Sequence, residues 1–133
     1  MNEGIAHAAG LSLGVGTYEE YLDIRSSQVT GRHIKAPFND YSPSTILNYY
    51  NNSIPGACVR NPDYVLGYSI GFLTVEAMNA MAGADSAMHM YAVMASGKDF
   101  EEAFELIYEI PWNDAKSVFS EYVSLVINDL FSS

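Results

Sequence analysis

The stretch that most restricts the fold is DYVLGYSIGFLTVEAMNAMA, residues 63–82, introduced by Asn61-Pro62 and closed by Gly83. Its apolar residues fall on nearly every face of a helix of period 3.6, and it is far longer than an ordinary strand. Such a helix is stable only when neighbours surround it, so the rest of the chain must supply them. Proline is tolerated in a helix's first turn and glycine suits the position past its last, which sets the two ends. The expected architecture is therefore all-α, a compact bundle of about six helices around a central hydrophobic helix spanning about 62–82.

The neighbours announce themselves by their caps. A first helix is expected from about Asn2 to Leu13, ended by Gly14-Val15-Gly16. Thr17 followed by Glu20 is a capping box, in which each side chain satisfies a backbone N–H that the helix leaves free, and it starts a helix that dies by Gly31. From Gly31 to Pro43 the sequence has prolines and no periodicity, which marks an extended loop. Ser42 before Pro43 starts a short helix, after which SIPGACVRNP is again irregular. Asp85 is a candidate cap for the next helix, ended by Gly97. Asp99 with Glu102 repeats the capping box for FEEAFELIYEI, with Phe100, Phe104 and Ile107 on one stripe and Tyr108 a further candidate for it. Past Pro111, Asn113 is the candidate cap of the last helix, whose Ala115, Val118, Phe119, Tyr122, Val123, Val126, Ile127 and Leu130 fall at helical spacing, with Trp112 packing back on it.

A chain of 133 residues with 49% hydrophobic residues can bury an ordinary core, and residues 1–133 read as a single domain. The formal charge of −10 would repel a phosphate backbone, and no lysine or arginine cluster offers a local exception, so nucleic acid is not an expected partner. The acidic residues Glu19, Glu20, Asp23, Glu101, Glu102, Glu105 and Asp114 read as solvated helix faces. Cys58 is the one cysteine, which excludes an intrachain disulfide and a CxxC site. No secretory leader and no uninterrupted apolar run of membrane-spanning length is found, so no membrane association is expected and the cytoplasm is the default compartment.

Chemistry-bearing residues are sparse. His7, His33 and His89 form no HExxH or other pair at ligand spacing, although Glu3 and His7 share a helical face. His89, between Met88 and Met90, reads as a partly buried packing residue. No GxSxG elbow appears, and LGVGTYEE lacks the third glycine of a dinucleotide fingerprint. The series Met78, Met81, Met88, Met90 and Met94 reads as core rather than as an adaptable groove. Tyr64, Tyr68 and Tyr91 lie in apolar sequence, where a buried hydroxyl must find a partner.

Three short motifs, in order, carry a resemblance: Asn2-Glu3-Gly4-Ile5-Ala6, Tyr68-Ser69-Ile70-Gly71 followed by FLTVEAM, and the tail GKDFEEAFELIYEIPWNDAKSVFSEYVSLV. Together they resemble the C-terminal helical half of a gluzincin zinc metallopeptidase domain, of the aminopeptidase-N-like kind. The resemblance implies that Glu3 is a zinc-binding carboxylate and that Tyr68 is the hydroxyl donor to the oxyanion; Tyr64-Val65-Leu66-Gly67 fits the same tyrosine pattern. It implies zinc only for an intact family member, because this sequence has no HExxH to supply two imidazoles and the glutamate that activates water. No cofactor is expected in this chain, and the isolated chain is expected to be inactive on peptides until the missing half is supplied. The alternative is a non-catalytic helical interaction module. Either way the surface left by the missing helices points to a homo-oligomer.

Overall fold

The computed structural model describes residues 16–30, 41–52 and 62–132, with the backbone alone for 62–67. Among these residues six helices follow one another: α1 (Tyr18–Thr30), α2 (Pro43–Asn52), α3 (Pro62–Ala82), α4 (Ser86–Ala95), α5 (Phe100–Tyr108) and α6 (Trp112–Ser132). No strand occurs among the described residues, and the chain is an all-α bundle. The expected helix over residues 2–13, most of the loop after Gly31 and nearly all of the irregular segment after Asn52 lie outside them, as do Glu3, His7, His33 and Cys58.

The capping logic holds at both boxes. Glu20 N–H donates to Thr17 Oγ1 at 3.1 Å, while Glu20 Oε2 accepts from Thr17 N–H at 3.3 Å and from Gly16 N–H at 2.8 Å. Asp99 Oδ1 accepts from Glu102 N–H at 2.9 Å and Glu102 Oε2 accepts from Asp99 N–H at 3.0 Å. Ser42 accepts more loosely from Thr45 N–H, at 3.4 Å.

Two caps differ from expectation. Asp85 makes no side-chain cap bond, because its backbone is already helical rather than in the extended region that turns a cap side chain back on the helix. The work is done from the preceding helix instead: Asn79 Oδ1 accepts from Ala87 N–H at 3.1 Å and lies 3.3 Å from Ser86 Oγ. The α3–α4 corner is thus sealed by a side chain of α3, and Gly83, at φ +102, makes the turn there. Asn113 lies inside α6, which starts a residue earlier; the Pro111 carbonyl takes the N–H groups of Asp114 and Ala115, each at 3.1 Å.

α3 is enclosed as its sequence requires. Ile70, Phe72, Leu73, Val75 and Met78 are all buried, with α4, α5 and α6 packed against the helix. α6 is the second spine: it lies along α2 and also meets α1, α3 and α5, burying Ala115, Phe119, Val123 and Ile127 on one stripe. Trp112 packs edge-on against Phe100, Phe104 and Tyr50 and against Phe119 of its own helix, so an aromatic cluster joins α2, α5 and α6. Burying each of these rings is worth roughly 2–3 kcal/mol before chain ordering is subtracted.

Some residues face the other way. Val118 is exposed, although its spacing placed it with the core stripe; it lies one step too far round α6. Of the methionine series, Met78 and Met90 are core, whereas Met81, Met88 and Met94 reach solvent. His89 is exposed and not a packing residue. The seven acidic residues read as solvated faces are all exposed.

Candidate functional site

Glu76 is the one acidic residue in the middle of α3, four residues past the sealed Phe72 and two before Met78. A carboxylate there must find donors, since an unpaired charge among apolar side chains costs several kcal/mol. α1 and α6 provide them. Arg25 grips it in fork geometry, Nε to Oε2 and Nη2 to Oε1, both at 2.7 Å. Tyr122 Oη donates to Oε1 at 2.6 Å and Tyr21 Oη donates to Oε2. Each carboxylate oxygen therefore accepts two bonds, and three helices meet at one side chain.

The spacing that builds this cluster is local on each helix. Tyr21 and Arg25 are one turn apart on α1, so they face α3 together. Tyr122 sits on α6 next to the buried Val123, at the edge of the core stripe. Burial pushes the Glu76 carboxyl upward, but the bonds from Arg25, Tyr122 and Tyr21, with the Arg25 charge, outweigh it and hold it below the usual carboxylate range. Burial and the bond to Glu76 push the Tyr122 hydroxyl up to about 12, and the same causes raise Tyr21. The hydrogen bond to Glu76 raises the Arg25 guanidinium further. A carboxylate with all four donors in place is held ionised and has no lone pair turned outward for a substrate. Its chemistry is structural: it fixes α1 and α6 against α3.

A second polar strip runs along the α3–α4–α5 junction. Tyr108 Oη donates to Ser86 Oγ at 3.0 Å, and Ser86 Oγ donates to the Met78 carbonyl at 3.2 Å. On the α2 side Tyr50 Oη and Thr74 Oγ1 lie 2.6 Å apart, and Thr74 donates to the Ile70 carbonyl at 2.6 Å. These buried hydroxyls are satisfied. Ser69 is the exception: it is 2% exposed and its hydroxyl finds no hydrogen-bond partner among the described residues.

Tyr68 stands next to Ser69, half-buried, at the point where α3 enters the sealed core. It precedes Glu76 by eight residues, about 12 Å along the helix axis. The structure does not bring Tyr68 together with Glu3, which lies outside the described residues; Tyr64 is described by its backbone alone. Among the described residues no three His, Cys, Asp or Glu side chains come together to hold a metal ion, so those residues by themselves do not fit zinc. The sequence signal for the Glu76 cluster was present: a lone carboxylate in an apolar helix demands a cation, and Arg25 is the one cation on α1.

An open groove of about 710 Å³ runs along the outer face of α6, lined by Pro43, Glu121, Ser124, Leu125, Asn128, Asp129 and Ser132. No helix among the described residues is long and apolar enough to cross a membrane. Comparison with protein-family models, with curated proteins and with solved structures finds no match.

Proposed function

We propose that this chain is the helical half of a gluzincin-type peptidase domain, with Glu3 as an orphaned zinc ligand and Tyr68 as the hydroxyl that steadies the oxyanion. The reading rests on the Asn2–Ala6 and Tyr68–Gly71 motifs in that order. The observation that supports it is the turn holding Tyr68 and Ser69. The Ser69 hydroxyl beside Tyr68, sealed and without a partner among the described residues, is unusual for a turn that serves packing alone, since buried polar groups in folded proteins are almost always paired. A neutral O–H aimed at developing negative charge favours the transition state over the ground state. No step runs through zinc in this chain, whose described residues do not hold it.

The test begins upstream. An in-frame HExxH shortly before Glu3 in the source DNA is expected; a coding sequence without one overturns the reading. The joined protein is then assayed on a peptide anilide. Tyr68→Phe is expected to lower kcat by about 10²–10³-fold with KM little changed, as removal of an oxyanion donor does. An unchanged kcat removes Tyr68 from the chemistry. Zinc titrated into the present chain is expected to show no stoichiometric submicromolar site, and tight binding lost in Glu3→Ala would overturn the claim of an incomplete ligand set.

The second reading, a helical interaction module, is favoured by the exposed methionines of α4.

A further inference from the structure

α4, SAMHMYAVMA, is apolar on nearly every face and carries no Asp, Glu, Lys or Arg. A helix of that composition belongs inside a protein, yet α4 buries only Ser86, Ala87 and Met90 fully. Met88, Ala92 and Ala95 lie opposite the buried side and are exposed, with Met88 at 48%. Tyr91 flanks them at 41%. In a chain of net charge −10 this is a neutral, oily face.

We propose that a second copy of this chain covers that face, with α4 packed antiparallel on α4 of the partner about a two-fold axis. The charges at the two ends of the helix select this occupant. Asp85 precedes α4 and Lys98 follows it past the turn at Gly97, where φ is +104. Both side chains are exposed, neither forms an ion pair among the described residues, and Asp85 does not cap its own helix. Antiparallel pairing sets Asp85 of each copy against Lys98 of the other, and the symmetry makes the contact twice. α4 has ten residues, about 15 Å, so both pairs fall at the ends of one seam. The same arrangement opposes the two helix dipoles. Ala92 and Ala95 let the backbones approach, while Met88 adapts to the facing surface. Two acidic molecules meet with least repulsion along α4, which itself carries no carboxylate. A cationic peptide finds a single carboxylate there, Asp85, whereas a second copy offers two complementary pairs.

The inference is independent of the peptidase reading, and its test uses the full chain. Sedimentation equilibrium at neutral pH is expected to show a concentration-dependent dimer. Met88→Glu, placing a charge in the seam, is expected to raise the dissociation constant at least tenfold. Lys98→Asp is expected to weaken the dimer, and adding Asp85→Lys to the same chain to restore it, because the swapped pair is again complementary. Circular dichroism of each variant checks that the chain keeps its helical content. A monomer at every concentration, a dimer indifferent to Met88→Glu, or a double variant no tighter than Lys98→Asp alone would each overturn the proposal.

Discussion

Glu76 shows how much one side chain can organise. Replacing it by glutamine keeps the shape but leaves the Arg25 charge without its partner in a largely buried place. The expected cost is about 2–3 kcal/mol in chemical denaturation, below the full penalty for a sealed pair because Arg25 and Glu76 keep 15% and 17% exposure. The pH dependence has a definite sign. The folded carboxyl titrates below its unfolded value of about 4.3, so the unfolded chain binds the proton first. Its stabilisation is full above that value and is lost as pH falls through the folded pKa. Glu76→Gln should flatten this acid limb, and urea midpoints measured from pH 5 to pH 2.5 would show it; an unchanged limb would assign acid sensitivity elsewhere. The sequence left this cluster unread because FLTVEAM presents its glutamate as one polar break in an apolar run. The donors stand 51 and 46 residues away, beyond any local spacing rule.

Helix boundaries follow from local chemistry, and there the sequence was legible. Both capping boxes, the proline start of α3 and the glycines after α3 and α4 lie where backbone donors and left-handed turns require them. Asp99→Ala removes the bond to Glu102 N–H and is expected to cost about 1 kcal/mol by thermal denaturation. Asn79→Ala is expected to cost a similar amount, about 1 kcal/mol, although Asn79 lies in a different helix from the one it caps. A neutral result there would mean that water replaces the carboxamide at the corner. Asp85 does stand at the N-cap of α4, but reading its side chain as the cap failed for the reason that makes this variant informative. A cap donated across a turn depends on how two helices meet, which spacing along one of them does not encode. Val118 is a different case: it lies one step round α6 from the buried stripe of Ala115, Phe119, Val123 and Ile127, which the spacing itself allows.

For the molecule as a whole the net charge of −10 sets the response to the medium. Like charges crowd together on folding, so raising salt at neutral pH from about 0.02 M to 0.5 M should stabilise the chain by about 1 kcal/mol, ~4 °C in melting temperature. A fall would mean that attractive surface pairs outweigh the repulsion. The all-α class and the central position of α3 followed from one apolar stretch, since a helix without a polar side leaves few arrangements open. The proposed site was not legible to the same degree. It joins a motif near the first residue to a turn some 65 residues later, and only Tyr68 falls within the described helices.

α1 holds on differently from its neighbours. Only Val29 among its thirteen residues is fully buried, so little oily area fastens it, and the grip comes from Tyr21 and Arg25 closing on Glu76. Protonating that carboxyl therefore unhooks one strut while the aromatic cluster around Trp112 stays shut. Acid should peel the bundle from one side before it melts, and backbone amides of residues 18–30 would begin to exchange with solvent while those of α3 and α6 stay protected.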